Sequence, residues 1–212
     1  MRALHLVTLT LPVLLPGLFL IVSLKRGWFG RFRRPIDGGA ALRGTPVVGQ
    51  NKTWFGVVLY VAGGAAVAGA LSMFGTFSHP VFAGPMSLAV GASIGAAYSV
   101  GEIINSLIKR RAGIAPGQVT TSQWRYVQRA ADLADGIICA ALAYVAWGVS
   151  WAMGTAVLAT GLVIHAGTDV LMRRLSLKRD KHRGGNHGNG EVVQPAQTDA
   201  LHCSQERSSH QA

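Results

Sequence analysis

Cysteine is scarce in this chain. Cys139 and Cys203 are its only two among 212 residues. One lies in an apolar segment and the other in a polar tail, which excludes a disulfide framework and a cysteine-ligated zinc site. Charge is scarce as well: 14% of residues are charged, half are hydrophobic and 27 are glycine. The mean hydropathy is +0.32. A soluble domain of this length carries more charge, so the composition points to a polytopic membrane protein. The formal net charge of +11 raises nucleic acid as a partner. The basic residues, however, sit between long apolar runs and in the tail, a placement that reports membrane topology. No nucleic acid is expected. The sequence also shows no Ser-His-Asp or Cys-His arrangement, so no covalent nucleophile is expected.

Five apolar runs are present, at 4–24, 54–75, 81–105, 130–150 and 151–172. The first is long for a signal h-region and no small-residue cleavage site follows it, so it reads as a retained helix. Pro12 and Pro16 are tolerable inside such a helix. The second and third runs hold GGAAVAGA and GASIGAA, small faces that let helices approach closely and permit a homodimer. Trp147, Gly148 and Trp151 suit an interfacial turn between the last two runs. Charge orients the set. The loop after the first run carries Lys25, Arg26, Arg31, Arg33, Arg34, Arg43 and Lys52, the loop at 106–129 carries five Lys or Arg, and the two remaining loops carry none. The alternation predicts an all-α bundle of about five transmembrane helices, N-terminus outside and C-terminus cytosolic. Residues 1–180 form the membrane domain, and the polar stretch 181–212 reads as a disordered tail.

Three stretches carry chemistry. In 34–56, Gly44, Gly49, Lys52 and Thr53 hint at a P-loop, but Gln50 and Asn51 break the required Gly-Lys-Thr contiguity. Asn51, Lys52 and Thr53 still place a cation and a hydroxyl at the membrane surface; a positive-inside anchor with an interfacial Trp54 is the alternative. In 101–135, Glu102, Asn105, Ser106 and Lys109 follow at helical spacing, then Arg110 and Arg111. Asp132 and Asp135 are i and i+3 on the next helix, so they share a face. Carboxylates inside membrane segments are costly and by default functional; a solvated helix start is the plain alternative for this pair. Near the end of the last run, His165 and Asp169 are i and i+4. Asp132 and Asp135-Gly136 also match the start of the CDP-alcohol phosphotransferase signature, whose continuation is absent.

Taken together, these stretches resemble the CDP-archaeol synthase family, small CTP-dependent membrane cytidylyltransferases related to phosphatidate cytidylyltransferase (CDP-diglyceride synthetase). Pro35-Ile36-Asp37 with Gly38, then Gly49 and Lys52-Thr53-Trp54 with Gly56, matches one family stretch. Gly101-Glu102, Ser106, Lys109-Arg110-Arg111, Gly113-Ile114 and Pro116-Gly117 match another. Asp132 and Asp135 match a third, and His165 with Thr168, Leu175 and Leu177-Lys178 a fourth. The family usually has Asp where Glu102 stands and Arg where Phe55 stands.

The resemblance implies transfer of a cytidylyl group from CTP to a phosphorylated lipid, giving a CDP-lipid and pyrophosphate, with Mg²⁺. It implies that Glu102, Asp132 and Asp135 hold the metal. Lys52, Lys109, Arg110 and Arg111 would meet phosphates. Asp37, Asn51, Thr53, Ser106 and His165 would help bind the nucleotide. The small faces of the second and third helices would line an acyl-chain groove. A non-catalytic membrane scaffold or transporter-like subunit and a CDP-alcohol phosphotransferase are the competing readings.

Overall fold

The computed structural model describes residues 2–116, 118 and 124–174, without the side chains of Met172 and Arg173. The expectations placed on Gly117, Leu175, Leu177, Lys178, Cys203 and the tail 181–212 lie outside the described residues. Five α-helices carry the fold: α1 Arg2–Lys25, α2 Trp54–Ser72, α3 Ser87–Arg111, α4 Arg125–Ala146 and α5 Trp151–Arg174. Between α1 and α2 the chain forms a short antiparallel hairpin, β1 Ala41–Leu42 with β2 Thr45–Pro46.

Two boundaries differ from those read off hydropathy. The run at 81–105 is α-helical only from Ser87, because Pro80, Gly84 and Pro85 interrupt its start and Gly84 sits at φ +82°. At its other end α3 continues past the apolar run through Lys109, Arg110 and Arg111, residues that loop charge alone assigns to the 106–129 loop. Lys and Arg are good helix formers and their charge suits a helix C-terminus. Residues 112–124 separate α3 from α4 in the sequence. In the fourth run, α4 opens at Arg125, earlier than the apolar stretch itself.

Among the described residues four helices are long and apolar enough to cross a membrane: α1, α2, α3 and the Trp151–Leu171 part of α5. The exception is α4, which carries Arg125, Arg129, Asp132 and Asp135. It nevertheless runs the length of the bundle. Tyr144 Oη donates to the Leu9 carbonyl near the start of α1, at 2.7 Å, and Trp147 Nε1 donates to Ser93 Oγ near the start of α3, at 2.7 Å.

Glycine sets how closely the helices pack. A Cβ on Gly91 of α3 would lie 2.1 Å from the Gly64 carbonyl of α2, and one on Gly95 would lie 2.0 Å from the Tyr60 carbonyl. Small residues thus let these two backbones touch. This closes the faces that the sequence had suggested as an acyl-chain groove. An apolar cleft of about 500 Å³ lies instead between α1 and α5, lined by Leu18, Ile21, Val22 and Leu171 with Lys25 and Arg26. The buried core runs through Leu9, Tyr60, Val90, Ile94, Tyr98, Ile137, Ala140 and Tyr144.

Candidate active site

Helix α3 brings one polar stripe to the end of the bundle. Glu102, Asn105 and Lys109 recur at i, i+3 and i+7, which keeps them on one face. On α4, Asp132 and Asp135 share a face by the same rule. The two faces meet because Gly101 has no side chain: a Cβ there would lie 2.3 Å from the Asp135 carbonyl oxygen.

Asn105 Nδ2 lies 2.8 Å from Asp132 Oδ1 and 2.7 Å from Asp135 Oδ2. Lys109 Nζ pairs with Asp132 Oδ1 at 2.6 Å, and Asp135 Oδ1 accepts the Gly136 N–H at 2.6 Å. From the preceding loop, Lys52 Nζ reaches Glu102 Oε2 at 2.6 Å. Burial pulls the Lys52 ammonium down, but Glu102, Asp135 and Asp132 more than reverse this, so its pKa stands above the ordinary lysine value. Lys52 therefore carries full charge at neutral pH. On α5, His165 Nδ1 lies 2.9 Å from the Leu133 carbonyl. A carbonyl only accepts, so Nδ1 carries the proton and a neutral ring keeps Nε2 as an acceptor.

The other expected residues fall around this cluster. Asp37 accepts the N–H groups of Gly39, Val48 and Gly49 at 3.0, 2.8 and 2.9 Å. Its carboxylate organises the loop, and the N–H groups of Gly49 and Val48 hold its pKa below the usual carboxylate value. Thr53 caps α2, accepting the Gly56 N–H at 3.3 Å. Ser106 donates to the Glu102 carbonyl of its own helix at 2.8 Å, and Thr168 donates to that of His165 at 2.8 Å. Arg110 is buried and donates to the Ile114 carbonyl, with Gly49 and Pro116 packed nearby. Asn51 and Arg111 are exposed. Phe55 stacks on Phe29 with ring centroids 5.1 Å apart, a contact the family's arginine at that position would not make in the same way.

One site residue was absent from the sequence-derived set. Asn105 bridges both acids. Its helical spacing from Glu102 and Lys109 was visible, but an uncharged side chain gave no signal of its own.

No protein-family model matches the chain. Among curated proteins, a CDP-archaeol synthase of Halobacterium salinarum is 37% identical over 87 residues, covering 38% of this chain and 46% of that protein. The CDP-archaeol synthase of Thermococcus kodakarensis is 33% identical over 87 residues, covering 40% and 48%. That of Hyperthermus butylicus is 33% identical over 84 residues, covering 39% and 46%. The chain resembles CDP-archaeol synthases. The match spans about half the length of those synthases. A solved structure described as an intramembrane enzyme for archaeal membrane lipids biosynthesis overlays with a TM-score of 0.54 at 21% identity, covering 76% of this chain and 92% of that one. It shares the fold.

Magnesium needs few protein ligands. It keeps several waters and takes one or two carboxylates beside substrate phosphates. Among the described residues no group of three or more His, Cys, Asp or Glu side chains converges on one point. Asp132 and Asp135, drawn to a single amide nitrogen, fit the smaller requirement.

Proposed function

We propose that this chain is a CTP-dependent cytidylyltransferase that converts a phosphorylated membrane lipid into a CDP-lipid and pyrophosphate. The observation that carries this reading is the convergence of Lys52, Glu102, Lys109, Asp132 and Asp135 from three separate stretches at one end of the bundle. The likeness to CDP-archaeol synthases supports it and favours an archaeol-type lipid phosphate.

In the reaction, an oxygen of the lipid phosphate attacks the α-phosphorus of CTP. The bond to the bridging oxygen breaks in line, and pyrophosphate leaves. Such chemistry needs positioning and charge neutralisation more than a protein nucleophile. Asp132 and Asp135 would hold Mg²⁺, which when bound neutralises charge on the phosphate oxygens. Lys52, paired with Glu102, and Lys109, paired with Asp132, supply positive charge beside the acids. Glu102, engaged by Lys52, orients that ammonium. His165, held by Nδ1 on the Leu133 carbonyl, would present Nε2 to the nucleotide. Asn51 of the loop before α2, with Ser106, Arg110 and Arg111 of the last turns of α3, would flank the nucleotide. Asp37 and Thr53 shape the loop that delivers Lys52. The cleft between α1 and α5, apolar below and carrying Lys25 and Arg26, suits a lipid chain with an anionic head. The alternation of basic and uncharged loops supports a site on the cytoplasmic side of a cell membrane and a chain that crosses five times.

The test is transfer of label from CTP to lipid in detergent, with Mg²⁺ and archaeol-type and diacylglycerol-type phosphates. We expect transfer in wild type and a loss of at least about a hundredfold in an Asp132→Asn, Asp135→Asn double variant, as removal of charged groups at a phosphoryl-transfer centre entails. No transfer to any lipid, from folded protein that also fails to bind CTP, would leave the scaffold reading standing.

A further inference from the structure

Asn105 has no counterpart among the motif positions that match the family, yet it is hydrogen-bonded to both acids of the cluster. Its side chain is half-buried between α3 and α4. The amide nitrogen carries two hydrogens, and both are used: one on Asp132 Oδ1, the other on Asp135 Oδ2. The orientation of the amide follows from chemistry. Turned over, its oxygen would face two anions.

The consequence concerns which oxygens remain. Asp132 Oδ1 accepts from both Asn105 and Lys109. Asp135 has both oxygens engaged, Oδ2 by Asn105 and Oδ1 by the Gly136 N–H. Asp132 Oδ2 is left without a hydrogen-bond partner among the described residues. Two like charges on one helix face repel, and absent a donor between them one would protonate or swing away. Asparagine is short, so this bridge requires the helix backbones to be close. The Gly101 contact supplies that closeness one turn earlier, where a Cβ would lie 2.9 Å from Gly136 Cα.

We infer that Asn105 is a positioning residue: its amide fixes the separation of Asp132 and Asp135 and turns Asp132 so that Oδ2 is presented to a divalent cation. The inference rests on the reading of this cluster as a metal-nucleotide site. A residue that merely pinned two helices would affect melting and leave cation affinity alone. A positioning residue changes cation affinity, and groups supporting metal ligands are typically worth roughly 10- to 100-fold in that affinity.

The experiment is a Mn²⁺ titration of the full chain in detergent with CTP present, read by electron paramagnetic resonance, with melting temperature measured alongside. Asn105→Ala should weaken Mn²⁺ binding by roughly 10- to 100-fold. Asn105→Gln, which keeps both donors on a longer arm, should fall between it and wild type, and it carries the comparison if the alanine variant does not fold. In the transfer assay the Mg²⁺ needed for half-maximal rate should rise while KM for the lipid phosphate holds. If wild type binds Mn²⁺ with CTP and both variants match it within about twofold, the inference is overturned and the functional reading stands. If wild type itself shows no Mn²⁺-dependent CTP binding, both fall.

Discussion

Single residues here divide between shaping loops and supplying charge. Asp37 illustrates the first. Three backbone N–H groups converge on its carboxylate, so the 37–49 turn depends on its negative charge. Its pKa is lowered in the fold, chiefly by Gly49 and Val48. A lowered carboxylate pKa stabilises above the unfolded value and loses that stabilisation as pH falls through the folded one. Amide exchange at Val48 and Gly49 should therefore stay slow at neutral pH and accelerate in acid below the ordinary aspartate range. In Asp37→Ala it should be on the order of fivefold faster at neutral pH, the worth of one net hydrogen bond near 1 kcal/mol. Equal exchange in the two proteins would remove Asp37 as the organiser of the loop. Lys52 behaves in the opposite sense. Its raised pKa means the pair with Glu102 is intact at neutral pH and is lost only as pH rises past the ordinary lysine value.

Among the helices, glycine decides which pairs can make a site. The contact at Gly101 lets α3 present Asn105 and Lys109 to α4. Gly101→Ala would force a Cβ against the Asp135 backbone, which cannot rotate away as a side chain could. Overpacking of this kind costs about 1–3 kcal/mol. The melting temperature should drop and transfer activity should fall with it. Gly167→Ala on α5 is the contrast: a Cβ there meets nothing within 4 Å. Replacing a helical glycine by alanine in open space should be neutral or stabilising by about 0.5–1 kcal/mol. Similar melting shifts from both substitutions would discount the close approach of α3 and α4.

For the molecule as a whole, the open question is how many helices cross. Hydropathy favours four, because α4 carries four charged residues. The contacts at the far end favour five. Tyr144 and Trp147 join α4 to residues near the starts of α1 and α3, so α4 traverses the whole bundle. Its acids are partnered by Asn105 and Lys109, which lowers the cost of carrying them at membrane depth. In a background with Cys139 and Cys203 replaced, a cysteine at Phe77 or Gly148 should react with an impermeant reagent only from outside. One at Arg43 should react only from the cytoplasmic side. Labelling of Gly148→Cys from the cytoplasm would mean that α4 does not cross.

Hydrophobic runs, small-residue faces and the alternation of basic loops sufficed for an all-α bundle, because helix length and loop charge are local properties of a chain in a bilayer. The paired acids and the Lys52 and Lys109 positions were legible for a related reason: charge in an apolar setting is conspicuous by composition alone. Partnership was not legible. That Lys52 engages Glu102 across 50 positions, that Asp37 serves backbone N–H groups, and that Phe55 turns to Phe29 all depend on how loops return to the bundle. Nor could sequence show that the glycines of α2 and α3 are spent on each other, since a small face packs a helix or admits a lipid equally well until a partner closes on it. Asn105 stayed hidden longest. A neutral amide acquires its meaning only when the tertiary structure sets two carboxylates against it.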